Sequence, residues 1–558
     1  MKKIIATTGL AFTLVSGVCP PAASAPPFLS ALPAPGDAAC GALLGLRIPA
    51  RAIGRPTTGG EVTAARTVPA AGSGTAATGA YCRVDAAVHP VDPRAPDITL
   101  RVALPERWNG KAMMFGGGGY DGTIPDVTGN VPFGPTDQPR PLSRGYAVFA
   151  GDSGHQAAPG FTPTPSLDGS FGVNDEAVRN FAGDALKKTS DTARFILRAH
   201  YKRGAPTHSY FAGGSTGGRE GLAVAQRWPG DFDGVIAAYP AWNAASLDLF
   251  FGHTARVLSR PGAFLGTAEQ HLLHRAVLAA CDGDDGLRDG VVSHERGCHF
   301  DPRTLRCPGG GDTSDACLSD AQIRAVRELS SPLRWPYRLS SGERGYPGFP
   351  FLSGADMSTP LLGMGTEPPG RPMPKKSGYG VQFWDQWVRY FVTRDPSYDS
   401  LTLDPRRPGA WQRRISELSA LQDVNDPDLR RFAEAGGKLL MVHGTADELV
   451  SHRSTVDYFE RVQRHMGKHA TGDFARLYLV PGANHVNIDA DFAASWDSLT
   501  ALETWVEQGT APQRPVVRDA NPGANGRTRP LCAHPSWPKY TGTGSPDSAA
   551  GFTCSPRP

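Results

Sequence analysis

The sequence predicts an α/β fold: a doubly wound, mostly parallel sheet interrupted by one large inserted domain. Three observations carry this. Short apolar runs alternate with amphipathic helical stretches, as in a sheet covered by helices on both faces. The alternation stops at residue 241 and resumes only after residue 428. And 558 residues, 40% of them hydrophobic, supply enough apolar material for a large core plus an insert. The formal charge of +3 comes from 57 basic and 54 acidic residues without a long run of either sign. That excludes the electrostatic footprint of a nucleic-acid binder and favours a small-molecule partner. The 66 glycines and 50 prolines follow no fixed period, so they read as ordered turns rather than repeats.

Residues 1–25 read as a secretory signal: Lys2 and Lys3, an apolar stretch from Ile4 to Val18, then Ala22, Ala23, Ser24 and Ala25. Pro26 obstructs a cut directly after Ala25, which moves the expected cleavage slightly earlier. Val18 stands where lipid attachment at Cys19 would need a small residue. No later segment holds the roughly 18 uninterrupted apolar residues of a membrane span, so the expectation is a secreted or periplasmic protein with no membrane span. Loss of Cys19 with the signal leaves eight cysteines, and their grouping predicts four local disulfides: Cys40 with Cys82, Cys281 with Cys298, Cys307 with Cys317, and Cys532 with Cys554.

The first part of the core, residues 26–240, holds apolar runs at 98–104, 112–115, 146–150, 209–211 and 234–238, with helical stretches at 184–201 and 217–228. Residues 241–428 are irregular and rich in proline, aromatic residues and four of the cysteines. They predict a packed lid domain, since structureless loops rarely exceed about 15 residues. Residues 429–558 complete the core with runs at 439–442 and 477–480, a helix over 495–507 and a disulfide-closed tail.

Between the run at 209–211 and the helix from 217 lies Gly213-Gly214-Ser215-Thr216-Gly217, a Gly-x-Ser-x-Gly pentapeptide in strand-turn-helix context. Such a sharp turn exposes the serine hydroxyl and marks the nucleophile of an α/β-hydrolase fold. A serine needs a base and an orienting carboxylate, which in this fold follow in the order Ser, acid, His. Asp447 follows the strand ending near His443, and His485 follows the next strand, so both fall on post-strand loops. Glu448 and Asp489, and His443 and His452, are rivals that fit those loops less well. The oxyanion donors are expected to be the backbone N–H of Thr216 and one from Gly116 to Gly119, with Gly118 the choice. The glycine run lacks the Lys-Ser/Thr ending of a phosphate loop.

These residues resemble the tannase and feruloyl esterase family, which includes the hydrolase of mono(2-hydroxyethyl) terephthalate. The resemblance runs through Trp108-Asn109-Gly110-Lys111, Ser215 to Leu222, Asp231 to Val235, Asp428-Leu429, Gly436-Gly437-Lys438 and His443-Gly444, nearly the whole mature chain. It implies a triad of Ser215, Asp447 and His485 and a lid that helps shape the acyl pocket. It also implies a structural Ca2+ in the lid, held by Asp282, Asp285 and Asp289 and by the carbonyls of Leu287 and Val291. A solvated acidic turn is the alternative for that loop. Many family members carry cysteines directly before the serine and directly after the histidine; here those positions are Gly214 and Val486.

The expected activity is hydrolysis of a carboxylic ester of an aromatic acid of feruloyl, galloyl or terephthalate type, through an acyl-enzyme. His443 is expected to line the substrate pocket. Trp384, Trp387, Tyr390 and Phe391 could stack on a ring, although their near-helical spacing reads better as core. A catalytically inactive, secreted binding protein on the same fold is the alternative of a different class, motivated by the missing loop cysteines. A peptidase is disfavoured, because no repeat domain precedes the core.

Overall fold

The computed structural model describes residues 37–556; the expected signal and Cys19 lie outside the described residues. Ten strands form one sheet: β1 (Arg47–Ile48), β2 (Gly59–Val68), β3 (Tyr81–His89), β4 (Ile98–Pro105), β5 (Lys111–Phe115), β6 (Ala147–Gly151), β7 (His208–Gly214), β8 (Gly234–Ala238), β9 (Lys438–Gly444) and β10 (Ala475–Val480). Their spatial order is β1-β2-β3-β4-β6-β5-β7-β8-β9-β10. The pairs from β1 through β4 to β6 are antiparallel, and every pair from β6 to β10 is parallel.

The parallel strands read as continuous apolar runs because both of their faces are buried. In β9, Leu439 and Met441 enter one core cluster while Leu440 and Val442 enter the other. Helices α1 (Ala185–Tyr201) and α2 (Thr216–Arg227) supply apolar residues to the first cluster. Between β8 and β9 the chain leaves the sheet for a largely helical excursion. It begins with α3 (Ala244–Leu258) and includes α4 (Tyr379–Gln386). This segment supplies most of a third, aromatic cluster, with Phe250, Phe349, Trp384, Trp387 and Phe391 all at 0% exposure, and Tyr120, Phe171 and Phe181 from before β7 join it. After β9, α5 (His452–Met466) joins the first cluster and α6 (Ser498–Gln508) the second.

The parallel strands and flanking helices fall where the sequence pattern puts them. The antiparallel strands β2 and β3 do not appear among the expected runs, although Cys82, Val84, Ala86 and Val88 alternate inward along β3 with Arg83 and Asp85. All four expected disulfides form. Cys40–Cys82 closes 42 residues and ties the N-terminal segment to β3; chain entropy alone makes such a closure worth about 4 kcal/mol. Among the described residues no helix is long and apolar enough to cross a membrane.

Candidate active site

The register of the parallel strands decides which loops meet. Gly214 ends β7 opposite Ala238 of β8, Ala238 pairs with Val442 of β9, and Gly444 pairs with Val480 of β10. The loops after these four strands therefore open along one carboxyl edge of the sheet, the usual place for a ligand site in an open α/β sheet. They carry Ser215, Tyr239, Asp447 and His485.

Ser215 turns β7 into α2 at φ 61° and ψ −122°, a conformation costing about 1–3 kcal/mol for a residue with a side chain. The surroundings hold it there. Its N–H donates to Ala238 O at 3.1 Å, and its carbonyl accepts from Arg219 N and Ala241 N. The motif glycines are sterically required: a Cβ on Gly213 would lie 2.5 Å from Gly217 O, and one on Gly217 would lie 2.7 Å from Gly117 O.

Asp447 Oδ1 accepts the N–H groups of Leu449 and Val450 at 2.9 and 2.7 Å, which aims Oδ2 at His485 Nδ1, 2.8 Å away. Burial raises the Asp447 carboxyl, but His485 and His443 outweigh it and hold the group below the usual carboxylate range. Among the described residues no hydrogen bond joins the Ser215 hydroxyl to His485, a bond often long in substrate-free hydrolases.

The rival groups are placed elsewhere. Glu448 accepts the backbone N–H of His485 at 3.3 Å, and burial followed by the charge of Asp447 pushes its carboxyl well up. Asp489 is exposed, and His452 pairs with Glu295 at 3.3 Å. His443, expected in the pocket, stands instead behind Asp447 at 0% exposure. Its Nε2 faces two acceptors, Val450 O at 2.8 Å and Asp447 Oδ2 at 3.1 Å, so Nε2 carries the proton and Nδ1 accepts from Thr455. Burial lowers its basicity and keeps it neutral. His443 is thus a second donor to the Asp447 carboxylate.

The glycine run lies against the first turn of α2. Gly116 N–H is spent on Ala212 O and Gly117 N–H on Glu220 Oε2 at 2.9 Å, Gly118 N–H faces the Asp121 carboxyl, and Gly119 N–H has no acceptor among the described residues. The Thr216 hydroxyl fixes Gly119 O at 2.7 Å. Behind the run, Ser153 Oγ donates to Asp121 Oδ2 at 2.8 Å and lies 3.4 Å from Glu220 Oε1. Burial raises both carboxyls, and the charge of Glu220 raises Asp121 further, so the pair does not ionise fully. The sequence reading misses this support, although Glu220 sits inside the motif it quotes.

Tyr239 was also missed. Its ring centroid lies 4.6 Å from that of His485, and a Cβ added at Gly214 would stand 2.4 Å from the same ring. One aromatic side chain thus touches both the Ser215 loop and the His485 loop, the loops in which, at Gly214 and Val486, the family resemblance leads one to expect cysteines.

A cavity opens at Ser215 and Thr216, walled by Tyr120, Phe181, Leu247, Phe251, Tyr379 and Phe383, with Arg219, Asp248 and Gln422 also in its lining. Trp384, Trp387 and Phe391 are core residues and line no part of it.

In the loop after Cys281, Asp282 accepts N–H groups from Asp289, Gly290 and Val291, and Asp289 pairs with Arg529. Asp285 accepts Leu287 N–H through Oδ1, while its Oδ2 is buried without a hydrogen-bond partner. Among the described residues no three acidic, histidine or cysteine side chains converge as a metal centre. The orphaned oxygen and the all-oxygen donor set nonetheless fit a hard cation.

The model of the family described as tannase and feruloyl esterase matches residues 82–555. An uncharacterised esterase of Agrobacterium fabrum is 37% identical over 544 residues, 95% of each chain. The mono(2-hydroxyethyl) terephthalate hydrolase of Piscinibacter sakaiensis is 30% identical over 546 residues, covering 89% of this chain and 88% of that protein. The crystal structure of feruloyl esterase B from Aspergillus oryzae superposes with a TM-score of 0.73 at 23% identity, covering 93% of this chain and all of the other, and so shares the fold.

Proposed function

The chain belongs to the tannase and feruloyl esterase family and is a carboxylic ester hydrolase; from that premise we propose that it cleaves esters of aromatic acids through an acyl-enzyme on Ser215. The observation that carries the proposal is the Asp447–His485 bond on the loops that flank a strained serine at the mouth of an aromatic cavity. His485, oriented through Nδ1, takes the Ser215 proton as Oγ attacks the ester carbonyl. The developing oxyanion is met by Thr216 N–H and by Gly119 N–H. His485 then returns the proton to the leaving alcohol, and water hydrolyses the acyl-enzyme by the same route in reverse. Ser215→Ala is expected to lower kcat for p-nitrophenyl esters by at least about 1,000-fold and to abolish labelling by a fluorophosphonate. Full turnover in that variant would overturn the assignment and favour a non-catalytic serine.

The aromatic acyl class is supported by the ring-walled cavity and by the names of the relatives, one of which is a hydrolase of a terephthalate monoester. Export is supported by the four disulfides, which persist in oxidising compartments. A structural calcium ion is proposed for the loop after Cys281, held by Asp282, Asp285 and Asp289 with the carbonyls of Leu287 and Val291. What supports it is the unpartnered Asp285 Oδ2 together with a carboxyl that burial, then Asp289 and Asp282, push up to about 6. The ion would supply charge neutralisation to the loop and no chemistry to the ester.

A further inference from the structure

Two buried carboxyl groups behind the glycine run take no part in the proton transfers at Ser215. Asp121 and Glu220 are each 3% exposed. Glu220 Oε2 accepts Gly117 N–H at 2.9 Å, the Asp121 carboxyl faces Gly118 N–H, and the two carboxyls stand within hydrogen-bonding reach of each other. The Ser153 hydroxyl lies between them, 2.8 Å from Asp121 Oδ2 and 3.4 Å from Glu220 Oε1. Both groups press on the backbone of the run: a Cβ at Gly116 would stand 2.8 Å from Glu220 Oε2, and one at Gly117 would strike Asp121 Oδ1. Asp121 and Ser153 both hold left-handed backbone, at φ 60° and 64°, a strain that persists only where the surroundings impose it.

We infer that Asp121 and Glu220 are positioning residues for the reaction at Ser215: the two carboxyls hold one proton between them, and in that state they anchor the glycine run that supplies an oxyanion donor. The inference rests on the reading of Ser215 as the acylated residue. Two carboxylates in one dry site repel each other, so the pair keeps a proton that a lone carboxyl would lose. Burial raises both groups, and the charge of Glu220 raises Asp121 further. With one proton the pair carries a single negative charge, which Arg219 balances; its guanidinium is fixed by Phe181 O at 2.9 Å and by the Phe181 ring. Loss of that proton puts two negative charges behind the place where the oxyanion forms. Their repulsion loosens the hold on Gly117 and Gly118 and opposes the developing charge. Of the other groups around the pair, His155, pushed down to about 4 by burial, and Asp152, pushed up to about 6, titrate at lower pH. Tyr379, on the insert, is pushed by burial up to about 12, and burial raises Tyr120 as well. Asp248 and Asp423 share Arg219 with the pair, and both are raised by burial.

The test follows kcat and KM for a p-nitrophenyl ester from about pH 6 to about pH 10 in the wild type, Glu220→Ala and Glu220→Gln. Glu220→Ala is expected to lower kcat by about a hundredfold at nearly constant KM, the scale of a lost oxyanion donor. Glu220→Gln can still accept Gly117 N–H through its carbonyl and donate to Asp121 through its amide, as the protonated pair does, so it should recover most of that rate. The wild-type kcat should fall on the alkaline side as the pair gives up its proton. That limb should be missing in Glu220→Gln, which has no shared proton to lose. A Gln variant as slow as the Ala variant, or an alkaline limb unchanged by Glu220→Gln, overturns the inference. Infrared spectroscopy of the Ser215→Ala protein at neutral pH, with and without Glu220→Gln, separates the pair from the reading of Ser215. Loss of a protonated-carboxyl band on adding Glu220→Gln supports the shared proton even if turnover does not depend on Ser215. A band of unchanged intensity overturns it even if Ser215 is the nucleophile. Should Glu220→Ala fail to fold, the alkaline limb and the infrared band decide alone.

Discussion

A methyl group at Gly214 would strike the Tyr239 ring, and that ring lies against His485, so the identities of residues 214 and 239 are coupled through one contact. The Ser215 and His485 loops are held in register here by packing on the Tyr239 ring. Tyr239→Ala is expected to lower kcat by about ten- to a hundredfold with a much smaller change in KM, because a displacement near 1 Å of the base carries such a cost. Tyr239→Phe, which keeps the ring, should restore most of the rate. Equal losses in both variants would show that the hydroxyl, rather than the ring, matters. At this scale the sequence made Ser215, Asp447 and His485 legible, because strand-loop position and chain order single them out. His443 was misread, since a histidine at a strand end looks the same whether it faces a pocket or, as here, the far side of a carboxylate.

Individual elements are joined by buried charge. Glu295, 7% exposed in a short turn of the insert, meets His452 at 3.3 Å and Arg453 at 2.7 Å at the start of α5, and accepts the Ser353 hydroxyl at 2.7 Å. Burial alone would raise the Glu295 carboxyl; His452 and Arg453 reverse this and hold it well below its usual range. A depressed carboxyl stabilises the fold above its unfolded pKa of about 4.3, and that contribution is lost as the pH falls below it. Glu295→Gln should therefore cost about 3 kcal/mol at pH 7, in keeping with a broken buried pair. The gap in Tm between variant and wild type should narrow between about pH 4.5 and pH 3. A gap of constant size across that range would remove Glu295 ionisation from the account. Strand β2 shows why some elements were not legible: its pattern is Ala and Thr with mixed exposure, so neither a solid apolar run nor a firm alternation announces it.

For the whole molecule, the loop after Cys281 is a junction. Asp289 pairs with Arg529, and its carbonyl accepts from Arg527, both on the C-terminal segment, while Val291 is buried in the core cluster of the sheet. A cation bound there would hold the insert to the body of the fold. Chelation by EDTA is expected to lower Tm by a few degrees, and added calcium, but not magnesium, should restore it. A Tm indifferent to chelation, with no calcium found by elemental analysis, would leave the loop as a turn held by its own hydrogen bonds and by Arg529. The sequence by itself determined what is written locally: the order of strands and helices, the strained serine between its glycines, the acid and base loops, and the four cysteine pairs close along the chain. The tertiary structure alone decided which aromatic rings face the cavity, that His443 backs Asp447, and that Tyr239 joins two loops. These facts depend on strand register and on packing between segments hundreds of residues apart, which no local periodicity encodes.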